Sequence, residues 1–130
     1  MTILRICKSI LCLLLAALAL LVCLNNLLDY DSNYAFVQHT LSMDTVFPSN
    51  TLKYRAILDP FVWSLVYGLI IFAEFLTGFL VLLGAIGLLK NIHAPAAFNG
   101  AKNWVYLGCL VGFLLWFFGF IVIGGEWFCM

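Results

Sequence analysis

The stretch FVWSLVYGLIIFAEFLTGFLVLLGAIGLL, Phe61 to Leu89, decides the fold. Glu74 is its one charged residue. As a helix rising about 1.5 Å per residue it exceeds a hydrocarbon core of roughly 30 Å, so it should tilt or project beyond the lipid. Two shorter runs lie on either side: Ile10 to Leu28, beginning with the uncharged stretch Ile10 to Leu24, and Trp104 to Gly124; neither carries a charge. Both match the core. None of the three shows the alternation of a membrane barrel strand. The expected architecture is all-α: one membrane domain, a transmembrane bundle with spans at about residues 10–28, 61–89 and 104–124. A partly helical outer loop (29–60) and an inner loop (90–103) join them.

Composition points the same way. Hydrophobic residues make up 65% of the chain and charged residues 9%, against roughly 45–50% and about 25% in soluble domains. So few charges cannot cover a water-soluble surface. Six basic and six acidic residues cancel, which argues against nucleic acid as a partner. The cysteines form no CxxC pair, so the usual zinc and thioredoxin spacings are absent. Cys7, Cys12 and Cys109 read as small apolar residues. Cys23 and Cys129 fall near the outer helix ends, where an oxidising compartment permits a disulfide. The first run begins like a signal peptide, with Arg5 and Lys8, but Cys23-Leu24-Asn25-Asn26 offers no small-x-small cleavage site. It is expected to stay as a span.

Basic residues in short loops set the orientation. Arg5 and Lys8 precede the first span, and Lys90 and Lys102 flank the second connection; neither region contains Asp or Glu. Both should face the cytoplasm. The first connection holds Asp29, Asp31, Asp44 and Asp59 beside Lys53 and Arg55, and should face outward. Met1 is then inside and Met130 outside. Within the outer connection, Asp31 or Ser32 is placed to cap a short helix carrying Tyr34, Phe36, Val37, Leu41 and Met43. A second short helix is expected from Ser49 or Asn50, ending before Pro60. Tyr30, Trp63 and Trp127 suit the outer boundary and Trp104 the inner one.

Glu74 is the sharpest chemical signal, because an ionised carboxylate in a span costs several kcal/mol on insertion scales. It must be protonated, face the interior or pair with a polar group; the candidate partners are Thr77 one turn along, Tyr67, or a group on another subunit. Two readings follow: an interhelical hydrogen bond that specifies the bundle, or a proton or cation site. Gly108 and Gly112 form a GxxxG pattern, with Gly119 two turns on; Gly78, Gly84 and Gly87 offer a similar surface on the second span. Such glycines permit close helix approach.

Asp29, Asp31 and Asn33 imitate the first ligand positions of an EF-hand, but Tyr34 stands where its glycine belongs and Thr40 replaces its closing glutamate. Turn and cap roles fit them better. His39 and His93 fall on opposite sides of the membrane and cannot share a haem. With no phosphate loop, nucleophile elbow or acid/base pair, enzymatic activity is not expected, and neither cofactor nor metal is called for.

The segments Asn25-Asn26-Leu27-Leu28-Asp29-Tyr30-Asp31-Ser32-Asn33, His39-Thr40-Leu41-Ser42-Met43-Asp44-Thr45, Ala96 to Lys102, Phe113 to Phe120 and Ile123 to Phe128 carry a resemblance. They are similar to a bacterial family of predicted small integral membrane proteins of unknown function. The similarity covers most of the chain. It implies an inner-membrane location in Gram-negative bacteria and a further hydrophobic segment after Met130, but no activity or catalytic residues. The leading expectation is a non-catalytic accessory or assembly subunit surrounded by lipid, packing against other membrane subunits or a second copy. A proton or ion transporter component using Glu74 is the alternative, and an envelope sensor reading through the outer loop is a third.

Overall fold

Asp59 opens the longest helix. Its carboxylate accepts a hydrogen bond from the Phe61 amide at 2.9 Å, and Pro60 occupies the first turn, where a missing N–H costs nothing. The computed structural model describes Met1–Met130. Its helices are α1 (Thr2–Leu28), α2 (Tyr30–Ser42), α3 (Pro60–Lys90) and α4 (Pro95–Phe113), the last running straight into a π-helical segment, Leu114–Trp127. Three helical rods, α1, α3 and α4 with its π extension, are long and apolar enough to cross a membrane. The connection between α3 and α4 is shorter than the sequence reading expects. Pro95 starts α4 at its first turn, so Ala96 to Lys102 are helical.

α3 is the central helix. Its buried residues Tyr67, Glu74, Thr77, Val81, Ala85 and Leu88 recur every three or four positions, or at twice that interval, as one helical face requires. α1 lies antiparallel along it, with Leu20 against Gly78 and, one end farther, Arg5 Nη1 donating to the Ile92 carbonyl at 2.7 Å. α4 lies antiparallel on the other flank, and two reciprocal glycine contacts set that seam. A Cβ on Gly84 would stand 2.5 Å from Val105 Cγ2 and 2.9 Å from its backbone nitrogen; one on Gly108 would stand 2.5 Å from Val81 Cγ2 and 3.0 Å from its nitrogen. Nothing larger than hydrogen fits, and the two backbones approach accordingly.

α1 does not run the full length of α3. It stops near the middle, where Asn26 meets Glu74. A single residue, Asp29, breaks it with φ −112° and ψ 56°, and α2 then covers the remaining half of α3. The break is well satisfied: the Asp29 amide donates to the Asn25 carbonyl at 2.9 Å, and the Asp29 carbonyl accepts from Asn33 Nδ2 at 2.9 Å. The chain therefore re-enters a helix at Tyr30. Neither Asp31 nor Ser32 caps α2, contrary to expectation; Asp29 stands at that position, without a side-chain cap. The second helix expected in this connection is only a 3₁₀ turn, Lys53–Arg55, held by the Leu52 amide bonding to Asn50 Oδ1 at 2.7 Å. Beyond it the Ile57 amide bonds to the Leu41 carbonyl at 2.8 Å, strapping the loop to the end of α2.

Under this strap lies a core of Val37, Leu41, Met43, Tyr67 and Phe128. The ring of Trp127 is covered by Arg55, whose guanidinium carbon is 4.1 Å from the ring centroid while Nη1 donates to the Trp127 carbonyl at 3.2 Å. Loop and final helix end are thereby tied together. All five cysteines are free thiols. Cys23 is buried in the α1–α3 seam, its thiol 3.6 Å from the Ile71 carbonyl, and makes no disulfide with Cys129.

Candidate functional site

Glu74 sits fourteen residues into α3, about 21 Å along its axis, and is 1% exposed. Its partner comes from α1. Asn26 Nδ2 donates to both carboxylate oxygens, at 2.9 and 2.7 Å. Asn26 is fixed in turn by Tyr67, whose hydroxyl donates to the Asn26 backbone carbonyl at 2.7 Å and lies 3.4 Å from its side-chain oxygen. Tyr67 is itself wedged edge-on against Tyr30 and Tyr34, at centroid distances of 4.7 and 5.9 Å. The carboxylate is thus served through one amide, positioned by a buried phenol, at the place where α1 gives way to α2.

Of the two same-helix candidates, neither bonds the carboxylate. Thr77 turns its hydroxyl back to the Ala73 carbonyl at 2.7 Å, a local bond common for threonine in helices, and its methyl packs against Gly112. Tyr67 acts one step removed, through Asn26. The sequence reading missed Asn26 as a site residue. A signal existed: two adjacent amides close an otherwise apolar run, and an amide at that depth needs a partner as a carboxylate does.

A cavity of about 430 Å³ adjoins this cluster. Its wall is mainly apolar, from residues such as Val22, Val37, Ile70 and Phe120, with Asn25, Asn26, Asn33 and Glu74 among the lining. No Lys or Arg neutralises Glu74; the single ion pair in the chain is His39 with Asp44, Nδ1 to Oδ2 2.7 Å, both half exposed. α1 ends here with no basic residue in its last turn; its C-terminus carries about half a negative charge, and the N-terminus of α2, of opposite sign, begins one residue later. A carboxylate has roughly four lone-pair directions, of which Asn26 occupies two.

The remaining predicted residues serve elsewhere. Gly78, Gly84, Gly87, Gly108 and Gly112 all line seams inside the chain, against Leu20, Val105, Ala101, Val81 and Thr77 respectively. Gly119 does not join them: a Cβ there would meet only the Leu114 carbonyl of its own segment. The π winding, with i→i+5 bonds, turns each residue through a smaller angle than an α-helix, so a position seven residues after Gly112 rotates off the seam. Asp29, Asp31, Asn33, His39 and Asp44 do not gather as a calcium loop. Asn33 turns to the Asp29 carbonyl, His39 and Asp44 pair with one another, and no three His, Cys, Asp or Glu side chains converge anywhere.

Apolar helices of spanning length, sealed by glycine seams, with polar groups gathered at one helix break, define a multi-pass integral membrane protein. Residues 4–130 match the family described as predicted small integral membrane protein (DUF2165), and the chain belongs to that family. Comparison with the curated proteins and with the solved structures gives no match.

Proposed function

We propose that this is a non-catalytic membrane protein whose working site is the Glu74 cavity, where a proton or small cation is held as part of an ion-handling assembly. One observation carries the reading: a buried carboxylate with no basic partner borders a cavity that three asparagines also line, beside the C-terminus of a broken helix. Intramembrane carboxylates facing a bundle interior mark ion and proton pathways, and ion sites recur where spanning helices are interrupted and their carbonyls freed. The Asn26 amide suits the task, since it offers donors to an ionised carboxylate and, turned over, an acceptor to a protonated one. In this reading the chain sits in a bacterial inner membrane with the α2 end outward. Liposomes containing the purified protein provide the test. Glu74→Gln, which keeps size and hydrogen bonding, is expected to abolish proton or cation flux while assembly persists; equal flux from both proteins would reject the proposal.

A second reading, an accessory subunit clasping another membrane helix, draws on a different feature. An adjoining apolar crevice of about 250 Å³ opens between α2, α3 and the π-helical segment, lined by Leu41, Val66, Ile70, Leu115, Phe120 and Ile123 among others. The glycine seams give this reading no support, because they are occupied within the chain. Native mass spectrometry from membranes separates the two: a lone monomer with Glu74-dependent flux excludes the subunit role.

A further inference from the structure

At the end of the molecule opposite α2, two cations stand near one aromatic ring. Arg5 of α1 places its guanidinium carbon 5.8 Å from the centroid of Phe98, and Lys102 of α4 places Nζ 5.5 Å from the same centroid. Phe98 is 2% exposed, so the ring is a fixed platform. Each cation is anchored by a neutral acceptor: Arg5 by the Ile92 carbonyl at 2.7 Å, Lys102 by Asn99 Oδ1 at 2.8 Å. Neither meets a carboxylate. Lys8 and Lys90 lie at this end too, so four of the six basic residues gather here, while no acidic residue occurs in 1–28 or in 75–125.

Two like charges, each within about 6 Å of one ring centre and neither beside an anion, favour a negative partner. The anchors leave most of their donors free, since a guanidinium has five N–H groups and an ammonium three. We infer that Arg5 and Lys102, seated on Phe98, form a binding site for a phosphate group, supplied by the headgroup of an anionic phospholipid in the adjoining leaflet. The surroundings favour the lipid as its source. Ile3, Leu4 and Leu107 expose apolar side chains close by, and Trp104, 47% exposed, stands two residues from Lys102. Acyl chains would lie on the former, and a half-exposed indole at this level marks the headgroup boundary. Basic pockets between spanning helices are known to take such headgroups.

The test compares retention of phosphatidylglycerol with that of phosphatidylcholine by the full chain, using native mass spectrometry from mixed nanodiscs. Each basic residue near an anionic surface contributes enough for roughly a five-fold change in affinity, so Arg5→Gln with Lys102→Gln should lower the preference about thirty-fold. Lys102→Gln alone, which loses contacts only with Asn99 and Phe98 of its own helix, should lower it about five-fold and guards against misfolding of the double variant. Lys8→Gln with Lys90→Gln removes equal charge from the same end, away from the ring, and should lower the preference clearly less than the Arg5 and Lys102 pair does. Equal losses in the two double variants would reduce the effect to a diffuse positive field and overturn the site. Displacement of the lipid by inorganic phosphate at equal concentration would overturn the lipid as its source.

Discussion

Replacing Asn26 by leucine separates the two physical readings of Glu74. The substitution preserves volume approximately and deletes the only side-chain donor to either carboxylate oxygen. If the pair were an ordinary interhelical hydrogen bond, its loss would lower stability by about 0.6 kcal/mol and at most roughly 1.7, the range for polar contacts between spanning helices. A carboxylate 1% exposed and left with no donor and no cation is a different case. Orphaning a buried charge costs about 3–5 kcal/mol. Asn26 also takes the Tyr67 hydroxyl on its backbone carbonyl, which leucine retains, so that bond does not enter the difference. Asn26→Leu is therefore expected to destabilise by about 3 kcal/mol or more where Glu74 stays ionised, and by less at acidic pH, where proton uptake removes the orphaned charge; Glu74→Leu in the same background should recover most of the loss. The assay is reversible unfolding in mixed micelles titrated with a denaturing detergent, run as a double-mutant cycle. Independent sites add within about 0.3–0.5 kcal/mol. A cycle that closes within that margin would show that the two residues do not interact and would refute the clasp.

Two further outcomes follow from the same structure. Gly108→Ala should lower stability by about 1–3 kcal/mol through overpacking against Val81, whereas Gly100→Ala, which meets nothing within 4 Å, should raise it by up to about 1 kcal/mol from helix propensity; the same unfolding assay reads both. Arg55→Ala removes the cover of the Trp127 ring and the bond to its carbonyl, so amide exchange should accelerate near residues 50–58 and 124–130 together while α1 remains protected.

How much of this was legible beforehand varies by residue, for physical reasons. The three spans followed from Leu, Ile, Val and Phe in unbroken runs, because lipid exposure and helix length are properties of a single segment. Glu74 announced itself by charge. Its partner did not, since pairing Asn26 with Glu74 depends on where α1 ends along α3, a tertiary fact that neither run contains. Gly108 and Gly112 were readable because α spacing holds there; Gly119 was misread because the change to π winding after Phe113 has no sequence mark of its own. Asp31 and Ser32 had the chemistry of caps, but Asp29 bonds on both sides of the break and leaves them no helix end to cap. The ring shared by Arg5 and Lys102 was hidden by the ninety-odd residues that separate them.

The glycine seams have a consequence for traffic through the molecule. Beyond Glu74, toward the α3–α4 turn, Ala16, Ala19, Thr77, Val81, Ala85 and Leu88 are each at most 2% exposed. From Glu74 to Leu88, fourteen residues or about 21 Å of α3 are closed on this face. An ion held at the carboxylate therefore meets no buried passage toward the α3–α4 turn, and would cross to that end only if α4 parted from α3 at Val81 and Gly108.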